Sequence, residues 1–249
     1  MNEPTNSAPY LTATPYINTG HPEILAAAER ATDGGRTDIE RAVRLHDLVR
    51  DIPFGWAPAF DEQTAAEVLG SGIGFCNTKS TLFAALLRAS GIPARIHFVS
   101  ISRRTLRGLI TPPQAYVDHS YTEVLLDGRW IATDSYNVDA TLLRAAKARL
   151  RAENARIGYG VHSNGTCQWD GRSDAFSQFV ADGSVPDLSD ADFGIHADIG
   201  SFHASGMGRN RPNPISRVAI RLLVLGANRR VRRLRSEPGH SRISSAHRS

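Results

Sequence analysis

The chain has 249 residues, 41% hydrophobic and 22% charged, enough to fold around one substantial core with no run of about 18 apolar residues and no basic-then-apolar leader, so a cytoplasmic protein without a membrane span is expected. Two cysteines, Cys76 and Cys167, cannot build a disulfide framework, and without CxxC or HExxH spacing no metal or organic cofactor is expected. The net charge of +4 is uneven: residues 209–249 hold eleven Arg, no Lys and one acid, Glu237, so residues 1–208 carry −6, and nucleic-acid binding is not expected of the core.

Pro4, Pro9 and Pro15 keep residues 1–20 extended or loop-like, with Tyr10, Tyr16 and Ile17 available for packing. His21-Pro22-Glu23 opens a first helix, since proline suits the first turn, and Ile24, Leu25 and Ala28 follow at helical spacing until Gly34-Gly35. Thr37-Asp38-Ile39-Glu40 reads as a capping box for a second helix to about Asp51, burying Ile39, Val43, Leu45 and Leu48 in part. Pro53 and Pro58 bracket an irregular stretch with Trp56, and Thr64 to Glu67 opens a short third helix stopping at Gly70. After Gly70-Ser71-Gly72-Ile73-Gly74, a helix runs from Cys76 to Ser90 with Leu82, Leu86 and Leu87 apolar, ended by Gly91 and Pro93. Residues 94–101 alternate as a strand, and residues 119–126 and 129–136 form a hairpin about a type I′ turn at Asp127-Gly128. Asp139 caps a helix to about Asn154, residues 157–205 carry weak signals only, and residues 215–235 read as a helix before a Ser- and Arg-rich tail with a disordered composition.

Cys76 falls in the first turn of a helix after three glycines. Unpaired N–H groups and partial positive charge there favour a thiolate and can hold a developing oxyanion. The bland alternative is a small buried thiol. A base is available in the hairpin. With Asp127 and Gly128 as turn residues, Leu126 faces Arg129 and Tyr121 faces Asp134, so His119 and Asp134 lie diagonally on one face, their Cβ atoms about 7–8 Å apart. Asp118 points to the other face. Taken singly, His119 and Asp134 could each be ordinary strand residues; in order with Cys76 they match Cys-His-Asp logic. Other features are weaker. The glycines lack nucleotide-loop spacing, His162 and Cys167 are one pair short of a metal set, and Arg103, Arg104 and Arg107 read as a solvated loop that would otherwise suit an acidic substrate.

Gly74-Phe75-Cys76, the stretch from Leu82 to Arg95 (LFAALLRASGIPAR), the run from His119 to Trp130 (HSYTEVLLDGRW) and Asp134 resemble the bacterial transglutaminase-like superfamily; Thr14-Pro15-Tyr16-Ile17 and His21-Pro22 add to the likeness. The resemblance implies an α+β, papain-like transglutaminase core, with N-terminal helices and the nucleophile helix packed on an antiparallel sheet. It implies Cys76 as nucleophile, His119 as general base and acid, and Asp134 as orienter. It divides the chain into an extended segment (1–20), the transglutaminase-like domain (21–208) and a basic C-terminal helix with a disordered tail (209–249). Asn77 stands where animal cross-linking enzymes have Trp, and nothing resembles their calcium apparatus, so amide hydrolysis is favoured over protein cross-linking. Where papain-like proteases place an oxyanion glutamine, the chain has glycines. The Cys76 N–H is the expected donor, with Gln63 and Trp56 as lesser candidates.

The expected function is thus cysteine-dependent hydrolysis or transfer of a peptide or side-chain amide through an acyl-enzyme. The alternative is a non-catalytic peptide-binding or scaffold module using the same cleft. Ile215, Val218, Ala219, Leu222 and Leu225 are the expected apolar stripe of a last core helix with a solvated basic end, and the alternative is attachment to an anionic partner, a membrane surface, nucleic acid or an acidic protein.

Overall fold

A computed structural model describes residues 7–180, 185, 187–209 and 216–237. The N-terminal segment makes one 3₁₀ turn at Ala8–Leu11 and then runs irregularly, sinking Ile17 completely into the core. The first helix, α1 (Pro22–Thr32), begins where proline fits, and His21 Nδ1 caps it by accepting from the Glu23 N–H at 3.3 Å. In α2 (Asp38–Asp51) the Thr37 hydroxyl accepts from Glu40 N–H at 3.1 Å. The returning bond of the expected capping box is displaced: the Glu40 carboxylate accepts from Arg36 N–H at 2.7 Å, one residue early. Thr64 and Glu67 make both halves of the box for α3 (Ala65–Ser71), which runs past Gly70 and ends at Gly72 in the left-handed conformation, φ +61°.

These three helices surround α4 (Cys76–Ala89), which is buried on every side from Cys76 to Arg88. Leu82, Phe83, Leu86 and Leu87 are inaccessible to solvent and meet Ile24, Leu45 and Val49 on one flank and the sheet on the other. Each such side chain contributes about 1.5–3 kcal/mol through burial. The sheet order is β3-β2-β1-β6, antiparallel throughout: β1 Ala94–Ser102, β2 Tyr116–Leu126, β3 Arg129–Thr133 and β6 Asp192–His196. Asp127 and Gly128 both have positive φ, +48° and +74°, as a type I′ turn requires, and Thr122 faces Thr133 in the expected register. β2 starts three residues before its expected position. β3 stops at Thr133 rather than at residue 136, because Asp134 N–H turns to Ala175 O at 3.1 Å and Asn137 N–H closes a turn on Asp134 O at 2.9 Å.

A second core lies beside the first. It gathers Phe54, Trp56 and Phe75, the inner face of α5 (Ala140–Ala152), and Val224, Ala227, Val231 and Leu234 of α7 (Ser216–Arg235). Those four residues recur at helical spacing and form the buried face among the described side chains of α7, while the side chains of Val218, Ala219 and Leu222 lie outside the described ones. Leu225, expected in the apolar stripe, is 61% exposed instead. Asn228 fastens α7 to the body: its Oδ1 accepts from Trp56 N–H at 3.0 Å and its Nδ2 donates to Trp56 O at 2.8 Å. The remaining elements, β4 (Ile157–Gly158), β5 (Val161–His162) and α6 (Ile199–Ala204), fall in the stretch with weak sequence signals. The tail beyond residue 237 and Ile215 lie outside the described residues.

Candidate active site

Three segments brought together by the fold define the site. The loop before α4 is held by Gly55 N–H donating to Gly74 O at 2.9 Å and Gly74 N–H donating to Pro53 O at 3.2 Å. A Cβ on Gly74 would come within 2.9 Å of the Lys79 side chain and 3.0 Å of Thr78 Oγ1, so the loop can follow this path only with glycine there. The Thr78 hydroxyl accepts from the Phe75 N–H at 3.0 Å and so occupies a helix-end donor. Cys76 thus opens α4, 8% exposed, its thiol 3.6 Å from Asn77 Oδ1. Phe75 is flanked by Phe60 and Trp56, ring centroids 5.0 and 6.2 Å away.

His119 lies near the start of β2 and Asp134 just past β3, both fully buried, and the ring Nε2 meets Asp134 Oδ2 at 2.9 Å. Asp134 accepts there, so Nε2 carries a proton. Nδ1 makes no hydrogen bond. Burial disfavours the imidazolium, but the charge of Cys76 and the hydrogen bonds and charge of Asp134 and Cys76 outweigh it, pushing the His119 pKa up to about 9. Asp134 moves down. Burial opposes this, but the hydrogen bond and charge of His119, with the backbone N–H groups of Ser177 and Phe179, prevail. Around the carboxylate, Ser177 N–H donates to Oδ1 at 2.5 Å, Gln178 N–H at 3.2 Å and the Ser177 hydroxyl at 3.1 Å, while Phe179 N–H donates to Oδ2 at 2.8 Å. Asp134 is thereby fixed as an acceptor, and an imidazolium beside it is electrostatically favoured.

The hairpin register was enough to pair His119 with Asp134. It could not reveal Ser177, Gln178 and Phe179, because backbone N–H donors leave no residue-type signal. Asp118 points away and accepts from Arg209 N–H at 2.8 and 3.0 Å. Trp56 reaches the wall beside Phe75, and Gln63 is buried with its Oε1 unbonded. His162 and Cys167 are buried, and burial pushes the Cys167 thiol up; among the described residues no cluster of His, Cys, Asp and Glu could hold a metal. Two of the three loop arginines are engaged elsewhere, Arg103 donating to Pro112 O and Pro113 O and Arg107 pairing with Glu153. Among the described residues no helix is long and apolar enough to cross a membrane.

Residues 25–135, from α1 to the carboxylate of the hairpin, match the Transglutaminase-like superfamily. This stretch belongs to that superfamily. Its match ends one residue after Asp134, so the N–H donors at 177–179 that surround the Asp134 carboxylate lie outside it. Among solved structures, a proposed cysteine protease from Cytophaga hutchinsonii is similar over 53% of this chain and 42% of its own, at 18% identity and a TM-score of 0.42. A proposed protease from Parabacteroides distasonis is similar over 52% of this chain and 26% of its own, at 17% identity and a TM-score of 0.36. The chain thus spans less than half the length of either protein. No curated protein matches it.

Proposed function

We propose that this transglutaminase-like core hydrolyses a peptide or side-chain amide through an acyl-enzyme on Cys76. The observation that carries the reading is the His119 ring, gripped at Nε2 by a fully hydrogen-bonded Asp134, with Nδ1 unbonded and the Cys76 side chain among the groups that raise its pKa. In this reading Nδ1 already holds the proton of the thiol, and the thiolate sulfur attacks the amide carbon. The Cys76 N–H, at the start of α4, supports the oxyanion. Collapse of the tetrahedral species breaks the C–N bond, and His119 returns its proton to the departing amine, leaving a thioester. Water then adds with its proton passing to Nδ1, the C–S bond breaks, and a carboxylic acid and the free thiol are regenerated. An amine in place of water would complete a transfer. Hydrolysis is favoured because water needs no second binding site.

The protease designations of the two similar structures agree with a peptide substrate, and a reducing cytoplasm suits a working thiol. The test is incubation with a panel of peptide amides, read by intact mass. A mass increase equal to the acyl group on wild type, absent in Cys76→Ser, supports the mechanism. No adduct and no product from any member of the panel, with Cys76 reacting as an ordinary thiol, would favour the binding-module reading.

A further inference from the structure

Behind Cys76, one turn further along α4, lies a lysine with no access to solvent. Lys79 Nζ donates to Tyr136 O at 2.8 Å, to Asn137 O at 3.2 Å and to Arg50 O at 3.4 Å. The first two carbonyls belong to the turn that starts at Asp134, and the third belongs to the last turn of α2. An ammonium has three N–H donors and no acceptor, so three carbonyls satisfy it fully; a neutral amine would be one donor short. Four charged groups act on Lys79 from three other elements: Arg50 and Asp51 at the end of α2, Asp139 capping α5, and Arg235 on α7. Burial pulls its pKa down to about 7, Asp139 and Asp51 resist, and Arg235 and Arg50 add to the fall.

Burying a cation costs several kcal/mol, and an apolar side chain of similar volume would fill the space without that penalty. A methionine, however, could not tie the helix that begins with Cys76 to the turn that begins with Asp134. Of the other anchors of that turn, Ser135 leads away from the helix, and Tyr136 meets the helix at Ser80 through side-chain hydroxyls alone. Ser135 Oγ meets His46 Nε2 and Thr133 Oγ1, each at 2.8 Å, and the Tyr136 hydroxyl meets Ser80 and Thr122, each at 2.8 Å. Only Lys79 reaches from the helix to the main chain of the turn among these contacts.

We propose that Lys79 is a positioning residue, whose ammonium locks the Asp134 turn against the nucleophile helix and thereby sets how the His119 ring faces Cys76. The proposal rests on the reading of Cys76 and His119 as a working pair. Lys79 itself touches neither the thiol nor the imidazole.

The experiment is the pH profile of iodoacetamide alkylation in the full chain carrying Cys167→Ser, so that Cys76 alone reports, with thermal unfolding recorded for each variant. His119→Ala marks the profile of an uncoupled thiol. Lys79→Met should fold cooperatively, alkylate about tenfold more slowly near pH 6.5, and shift its profile toward that of His119→Ala. Lys79→Gln retains two donors and should fall between wild type and Lys79→Met in alkylation, even if its shorter side chain makes it the less stable of the two. A role in packing alone predicts that both variants lose stability with the wild-type profile kept, and that result overturns the proposal. If Lys79→Met does not fold, the displacement of the Lys79→Gln profile decides the matter on the same terms. Coincident profiles for the parent and His119→Ala would instead overturn the underlying assignment of the pair.

Discussion

Phe179 serves His119 twice. Its N–H donates at 2.8 Å to the same Asp134 oxygen that holds the imidazole, and its ring lies 25° from the plane of the imidazole with centroids 6.3 Å apart. One residue therefore supports both the partner of the ring and its face. The ring of Phe179 also stacks on Tyr121 at 5.5 Å, so the aromatic contact extends along β2.

Asp134→Asn tests this arrangement of donors. The carboxylate receives N–H groups on both oxygens, so either orientation of an amide sets its NH₂ against existing donors. The expected loss is about 3 kcal/mol, the range for leaving buried hydrogen-bonding groups unpaired around a removed charge. Urea unfolding measures it, and an unchanged midpoint would contradict the described geometry.

His119→Ala should displace the alkylation profile of Cys76 to higher pH, because it removes the imidazolium that accompanies the thiolate. On the proposed reading Asp134→Asn should move that profile less and reduce turnover more, since the task proposed for Asp134 is to hold the ring. Cys167→Ser should leave both unchanged. Identical profiles for wild type and His119→Ala, with circular dichroism showing both folded, would remove the basis for catalysis.

The dependence of stability on pH follows from the directions of the shifts. The folded pKa of His119, about 9, exceeds its ordinary 6.5, so its contribution is complete below pH 6.5 and disappears as pH rises through 9. Asp134 is held below 3.8, so its contribution is complete above that value and fades as pH falls through the folded pKa. Lys79 runs the other way: with its pKa lowered to about 7 from 10.5, its charge opposes folding below 7, and the penalty has gone by 10.5. The melting temperature of wild type relative to His119→Ala should therefore be greatest between about pH 4 and 6.5 and decline toward pH 9. A gap that widened over that interval would refute the assignment.

Gly165→Ala should weaken the site from outside it. A Cβ there would stand 2.7 Å from Ser177 O and 3.0 Å from His162 O, both backbone atoms, so the strand of donors that faces Asp134 must shift. Overpacking of this kind costs about 1–3 kcal/mol. Lower thermal stability with slower alkylation at neutral pH is expected; loss of stability with an unaltered alkylation profile would separate this loop from the thiol.

Two truncations should differ sharply. Removing residues 238–249 leaves α7 and the pair of Arg149 with Glu237 in place, and cooperative unfolding should persist. Removing residues from 216 onward uncovers Phe54 and Trp56 and deletes both bonds from Asn228, so the second core should lose its cooperative transition. Asn228→Ala alone should cost about 1–3 kcal/mol through the unpaired Trp56 backbone.

Local rules written into side chains made the helices and the hairpin readable. Pro22, Thr64, Gly91 and the Asp127-Gly128 pair act within a few residues of themselves, and the structure follows them. The pairing of His119 with Asp134 was readable because a two-residue turn determines every opposed position in the strands. What escaped depends on distant segments. Ser177 to Phe179 act through main-chain N–H groups that any residue but proline carries, and β6 joins the sheet through a short edge interrupted by Gly194 at φ +76°. The apolar stripe of α7 was misjudged at Leu225 because Val224, Ala227, Val231 and Leu234 offer a competing helical face, and only the partner surface of Phe54 and Trp56 selects between them.

Asp134 acquires its last hydrogen-bond donor more than forty positions later in the chain, at Phe179, and Trp56 is fastened by Asn228, nearer still to the C-terminus. During synthesis, Cys76, His119 and Asp134 all leave the ribosome before the groups that order them. On the proposed reading, the nascent thiol then has for its base an imidazole whose partner carboxylate is still free to take water or a proton. Contacts this remote in sequence form late, after loop closure between distant segments. Competence of the thiol is therefore tied to completion of the polypeptide, and a growing chain carries the residues of the site before it carries the site.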